Sequence, residues 1–191
     1  MVSLTGILKI NNKKLLLVFF CLWFYFETYG QESADWIKLD NEEFGFIIEF
    51  PGQPTSNPQV VNTVLGKIKM NVFQLDLSTD SINDNLIYMV NYSEYPDSII
   101  NESIDTDDFF KSSINGMVTN IHGRLLEETV IDIDGYAARA VRININEGAA
   151  VVTSRLVLVR NKYFILMTIT ETRKDLNKSM DRFFESFQLK Q

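Results

Sequence analysis

Apolar and polar residues alternate along most of the chain with the two-residue period of β-strands. The even-numbered residues from Phe44 to Phe50 are all apolar, as in a strand buried on one face. Further strands are predicted at Trp36 to Leu39, Gln59 to Leu77 with a turn at Gly66, Leu86 to Pro96, Arg124 to Asp134, Tyr136 to Asn146, Ala149 to Arg160 and Tyr163 to Thr172. Between Ile68 and Leu77 the apolar positions switch parity, which predicts a bulge or a strand covered on both faces.

Turn-forming residues separate these runs. Asp134-Gly135 predicts a two-residue hairpin, because both central residues of the favoured turn need positive φ. Glu147-Gly148 and Asn161-Lys162 predict two more turns, so the strands after residue 124 are expected to be antiparallel neighbours. Three prolines between Pro51 and Pro58 lack backbone donors. We therefore predict that 51–58 is a loop leaving the preceding strand.

Two segments have helical periodicity. The first runs from Thr106 to about Ile121 with Asp105 as its cap, and the second runs from Leu176 to Phe187 with Asp175 as its cap. Their apolar stripes are Phe110, Ile114, Met117, Val118 and Ile121, and Leu176, Met180, Phe183, Phe184 and Phe187. The pattern predicts an α+β fold, a twisted antiparallel β-sheet of about 6–9 strands flanked by two main amphipathic helices.

The first thirty residues read as an export signal. Three lysines precede twelve apolar residues, Leu15 to Phe26, which is shorter than the roughly 20 that a bilayer span needs. Small residues at Thr28 and Gly30 favour cleavage before Gln31, and an uncleaved anchor is the alternative. We predict a signal peptide at 1–30, a single domain at 31–191, a periplasmic or secreted location, and no membrane span after cleavage.

Charge and cysteine content exclude several kinds of chemistry. Without residues 1–30 the chain keeps 15 basic and 24 acidic residues, and it contains no basic run that would track phosphates, which argues against nucleic acid as a partner. The only cysteine, Cys21, lies in the signal, so thiol nucleophiles and thiolate zinc sites are excluded from the domain. No cofactor is predicted.

The ordered series of motifs resembles a known group of proteins. It comprises FGFIIEFPGQPT from Phe44, VNTVLGKIKMNVF, YMVNYSEYP, NGMVTNIHGRLLEE, DGYAARAVRI and DRFFESFQL. Together these are similar to exported bacterial proteins related to the PsbP-like superfamily, which includes the photosystem II PsbP subunit and Ran-binding Mog-type proteins. The resemblance implies an α/β/α sandwich and a binding or assembly role, and it supplies no catalytic residues.

Few residues are candidates for chemistry. His122 is the only histidine, and it follows a predicted helix with no partner motif for a catalytic triad. Asp132 and Asp134 share a strand face and form a weak candidate cation site, although Asp-x-Asp-Gly before a hairpin is mostly turn chemistry. Arg139 shares parity with apolar residues, which predicts a partly buried arginine paired with a carboxylate.

Three other residues are candidate contacts for a ligand or partner. Tyr92 and Tyr95 belong to an aromatic strip on one strand, and Pro54 lies in the predicted proline loop. The favoured interpretation is a non-enzymatic exported domain that binds a protein or an envelope component. The alternatives are a hydrolase that uses paired carboxylates and a domain that binds a small ligand or divalent cation weakly.

Overall fold

The computed structural model describes residues 36–63, 66–101 and 103–190. They form ten strands and two α-helices. The strands are β1 (Ile37–Asn41), β2 (Phe46–Phe50), β3 (Thr55–Thr63), β4 (Gly66–Asp76), β5 (Ile87–Glu94), β6 (Arg124–Ile133), β7 (Tyr136–Ile145), β8 (Ala150–Val159), β9 (Lys162–Glu171) and β10 (Gln188–Leu189). The helices are α1 (Thr106–Asn120) and α2 (Lys178–Glu185). The predicted signal, 1–30, lies outside the described residues.

Seven strands form one antiparallel sheet in the order β3-β4-β5-β9-β8-β7-β6. The hairpin at Asp134-Gly135 joins β6 to β7 as predicted, with both turn residues at positive φ. The ladder of β4 runs without a bulge, and its residues Ile68 and Phe73 belong to cores on opposite sides of the sheet. The parity switch therefore marks a strand that is covered on both faces.

The first face of this sheet is covered by a second sheet and by α2. Strands β1, β2 and β10 form this small antiparallel sheet, with β2 in the middle. Phe46 and Phe50 of β2 and Phe183 of α2 are fully buried in the shared core. Burial of each such side chain contributes about 1.5–3 kcal/mol, so cover and sheet stabilise each other.

The second face is covered by α1 and by the segment that precedes it. Phe110 and Ile114 of α1 and Ile100 before it are buried against β7, β8 and β9. Asp105 caps α1 as predicted, since its carboxylate accepts from the backbone N–H groups of Asp107 and Asp108. The predicted α+β sandwich, a sheet flanked by two amphipathic helices, is confirmed.

The second helix begins later than the sequence pattern predicted. Its cap is Asn177, whose side-chain oxygen accepts from the Met180 N–H at 2.8 Å. The predicted cap, Asp175, instead forms an ion pair with Arg142. Leu176 has a φ of 58° and is 66% exposed, so it is outside the apolar stripe. The rest of that stripe is buried as predicted.

The predicted proline loop is also shorter than expected. Only 51–54 form a turn, and Thr55 onward belongs to β3, in which Pro58 lies opposite Asn71. Because β3 is an edge strand, a proline there can point its donor-less nitrogen away from the ladder. The last hairpin turn also shifts by one residue, to Arg160 and Asn161, with Arg160 at positive φ.

A buried polar network connects the loop before β5 to the cap of α2. Asn85 is fully buried and donates to the Tyr88 hydroxyl at 2.7 Å and to the Asn177 side-chain oxygen at 3.1 Å. Its own side-chain oxygen accepts from Asn177 and from the Thr170 hydroxyl. All the hydrogen-bonding capacity of the Asn85 amide is therefore used within the protein.

Substitution of Asn85→Ala is expected to lower the free energy of unfolding by about 2–3 kcal/mol, because it leaves several buried polar groups without partners. Denaturant unfolding measures the change. Asn115→Ala on the exposed side of α1 is the matched control, and it should leave stability unchanged or slightly raised. Equal stability of the two variants would contradict a structural role for the network.

Candidate functional site

A cavity among the described residues lies where the β3–β4 hairpin extends past its neighbour. Strand β5 pairs with β4 only as far as Met70 opposite Ser93, whereas β3 and β4 stay paired to Thr63 opposite Gly66. The overhang leaves a groove of about 900 Å³ beside the end of β5. Its lining comprises Glu43, Phe44, Pro58, Gln59, Val60, Ile68, Lys69, Asn71, Tyr92, Glu94, Tyr95, Pro96, Asp97 and Asn161.

Aromatic rings form one wall of the groove. Phe44, in the turn before β2, stacks on Tyr92 of β5 with ring centroids 4.5 Å apart and planes 25° apart. Tyr92 also packs on Phe164 of β9, at 5.2 Å. Tyr95 contacts Phe109 of α1 edge to face at 5.9 Å. The wall is anchored to both cores, so it is a preorganised apolar surface.

Among the described lining residues, three carboxylates and one lysine carry charge: Glu43, Glu94, Asp97 and Lys69. The Tyr92 hydroxyl donates to Glu94 Oε2 at 3.0 Å. Burial, and then this bond to Glu94, raise the pKa of Tyr92 above its usual value, so the phenol stays neutral. The groove is acidic, with an aromatic wall and a neutral hydroxyl.

The segment after β5 is held in place by Asn161, at the β8–β9 turn. The Asn161 amide donates to the Tyr95 carbonyl at 3.0 Å and to Asp97 Oδ1 at 3.2 Å. A backbone bond from the Tyr95 N–H to the Asn161 carbonyl, at 2.9 Å, completes the contact. These bonds fix Asp97 at the rim of the groove.

A second cavity of about 590 Å³ adjoins the groove at Phe44, which lines both. Its charged lining is Asp134, Lys162 and Lys190. Lys190 is engaged with Asp40 and Glu42 of the first hairpin, and these partners raise its pKa. The charge balance of the second cavity is thus less acidic than that of the groove.

The structure brings together some of the sequence-predicted contact residues and separates others. Tyr92 and Tyr95 both line the groove. Pro54 is half-buried in the turn before β3 and is outside the groove lining. The remaining groove residues lacked a recognisable motif, because they come from five separate segments. The only local sequence signal for the groove was Glu94-Tyr95-Pro96, which ends a predicted strand.

Arg139 lies on the other face of the sheet, against α1. It is 5% exposed, and it pairs with Asp107 and, at 3.7 Å, with Glu128. Its guanidinium carbon lies 4.8 Å from the centroid of the Phe110 ring. The predicted burial of this arginine with a carboxylate is confirmed, and these contacts link the start of α1 to the sheet.

Asp132 and Asp134 flank the β6–β7 turn. Asp132 accepts from the Gly135 N–H at 2.9 Å, which is turn chemistry. Asp134, at positive φ, lines the second cavity. Within the ranges that the structure describes, no three His, Cys, Asp or Glu side chains cluster as metal ligands would. His122, also at positive φ, is exposed at the end of α1.

Comparisons with known proteins bear on the fold. No protein-family profile and no curated protein sequence matches this chain. The solution structure of cyanobacterial PsbP (CyanoP) from Synechocystis sp. PCC 6803 is similar, with a TM-score of 0.52 and 16% identity over 84% of this chain and 95% of that one. The chain therefore has a PsbP-like fold, as the resemblance implied.

A second solved structure is more distant. PA94, a protein of unknown function from Pseudomonas aeruginosa, has a TM-score of 0.40 and 14% identity, over 64% of this chain and 86% of that one.

In the part of this chain that the structure describes, neither helix is long and apolar enough to cross a bilayer.

Tyr92 is expected to make stability fall above about pH 10. Its folded-state pKa is raised, so its contribution is complete below the ordinary tyrosine pKa of about 10 and is lost as the pH rises through the folded value. Denaturant unfolding of wild type and Tyr92→Phe between about pH 8 and pH 11 measures this. The stability of the wild type should drop relative to the variant, and less so in Glu94→Gln. If the stabilities of wild type and Tyr92→Phe change in parallel with pH, the raised pKa of Tyr92 is refuted.

Proposed function

We propose that this chain is an exported, non-enzymatic accessory domain that binds a segment of a partner protein or envelope component in the groove under the β3–β4 overhang. The single observation that carries the proposal is the stacked pair of Phe44 and Tyr92 in the wall of an acidic groove of about 900 Å³. Cavities of this size with apolar walls and a few placed polar groups are typical of binding sites.

The protonation and hydrogen bonding of the groove side chains favour binding over catalysis. A general base must be free to accept a proton near neutral pH, but the raised pKa of Tyr92 keeps its phenol protonated. Glu94 already accepts the bond from that phenol. The acid pairs of the hydrolase hypothesis lie elsewhere, since of Asp107, Asp108, Glu127, Glu128, Asp132 and Asp134 none lines the groove.

The chemistry of the groove also defines the partner. An aromatic face attracts a cation, and adjacent carboxylates strengthen that attraction. Among the described lining residues, the three carboxylates outnumber the one lysine, Lys69. We therefore infer that the bound segment presents a lysine or arginine beside an apolar side chain. Its backbone can run along the exposed edge of β3.

Selection of displayed random peptides on the purified protein tests the proposal. Wild type should enrich peptides with a basic residue next to an aliphatic or aromatic one. The double variant Glu94→Lys, Asp97→Lys should bind the enriched peptides at least about 100-fold more weakly, because it reverses two rim charges. Titration by fluorescence anisotropy measures the affinities.

The matched control is the double variant Glu147→Lys, Glu171→Lys, which makes the same charge change at the β7–β8 turn and the end of β9. Its affinity for the enriched peptides should equal that of wild type. If both double variants lose affinity equally, the peptides respond to net charge and not to the groove. Failure of wild type to enrich any basic peptide would also reject the proposal.

Export is the cellular part of the proposal. It rests on the basic start, the twelve-residue apolar core and the small residues before Gln31. Mass spectrometry of the protein recovered from producing cells should find Gln31 at its N-terminus. Gly30→Trp should accumulate the full-length chain, because signal cleavage needs a small residue at that position. An unprocessed wild-type chain would contradict cleavage at this site.

A further inference from the structure

Strand β6 is one edge of the seven-stranded sheet, and it is exposed along most of its length. Every residue from Arg124 to Val130 is exposed, and Val130 is 72% exposed. An edge strand carries a row of backbone N–H and C=O groups with no strand beside them. Neither proline nor lysine, the residues that most often protect such edges, occurs in β6.

The acidic residues of β6 are compensated from the neighbouring strand. Glu127 pairs with Arg142 of β7 at 3.2 Å, and Glu128 lies 3.7 Å from Arg139. The two arginines come from opposite faces of β7, since their positions differ by three. The negative charge of the edge is thus partly neutralised inside the sheet, which lowers the repulsion toward another acidic strand.

We propose that β6 pairs with β6 of a second copy of this chain, antiparallel and with Thr129 opposite Thr129. A two-fold axis at this position would make one sheet of fourteen strands from the seven-stranded sheets of two copies. The ladder would run from Glu127 to Ile131 on each strand. It stops at the bulge between Leu125 and Glu127, where the β6–β7 register shifts.

Repulsion between carboxylates selects this register. With Thr129 on the axis, Glu128 faces Val130 and Glu127 faces Ile131, so no two like charges lie directly opposite each other in the ladder.

Neighbouring registers are less favourable. An axis at Glu128 places this glutamate opposite itself, and an axis at Val130 places Glu128 opposite Asp132. Like charges directly opposite each other destabilise a strand pair. An axis between two residues is excluded, because it would place side chains that point to opposite faces of the sheet directly opposite each other.

Sedimentation equilibrium of the purified protein tests the proposal. Wild type should show a monomer–dimer equilibrium. Thr129→Lys and Thr129→Glu should each raise the dissociation constant at least about tenfold, because each places two like charges on the axis. An equimolar mixture of the two variants should recover dimers, since lysine then faces glutamate.

Thr79→Lys and Thr79→Glu are the matched controls, because Thr79 is also exposed but lies in the loop after β4. Both should dimerise as wild type does, and circular dichroism confirms that all four variants are folded. A wild type that is monomeric at every soluble concentration would overturn the proposal. Dimers that Thr129 substitutions leave unchanged, or that the mixture fails to recover, would overturn it as well.

Discussion

The fold depends on one constraint: a seven-stranded sheet that is apolar on both faces must be covered on both. Neighbouring residues of the central strands, such as Leu156 and Val157 of β8, are buried in different cores. Each face therefore needs a separate cover. The small sheet with α2 covers one face, and α1 with the segment before it covers the other. Loss of either cover would expose a continuous apolar surface to water.

The groove forms where strands of the large sheet end at different positions. Strand β5 stops at Glu94 while the β3–β4 hairpin continues, so sheet surface near the overhang has no strand beside it. The turn that carries Phe44 reaches this region from the small sheet, and the Phe44 ring stacks on Tyr92 near the end of β5. The groove is therefore a consequence of unequal strand lengths.

Local patterns were sufficient to predict most elements, but not how distant ones meet. The hairpin at Asp134-Gly135 and the α1 cap at Asp105 depend on a few adjacent residues, and both were predicted. The prediction of Asp175 as the cap of α2 was wrong, because Asp175 forms an ion pair with Arg142, which is more than thirty residues away. The groove lining joins five segments, and the pairing of β5 with β4 and β9 brings several of them together. No periodicity encodes such pairing, because contacts between distant strands are set by the whole fold.

The positions of the basic side chains determine where the negative charge of this chain is left unneutralised. Arg139 and Arg142 lie on opposite faces of β7 and engage carboxylates of the adjacent edge strand. In the groove, by contrast, the described lining residues include three carboxylates and one lysine, Lys69. Charges that are not neutralised by a neighbour act over about 8–10 Å at physiological salt. Among the described residues the negative charge is therefore less neutralised at the groove than along β6, which agrees with the basic partner proposed for the groove and the second copy proposed for β6.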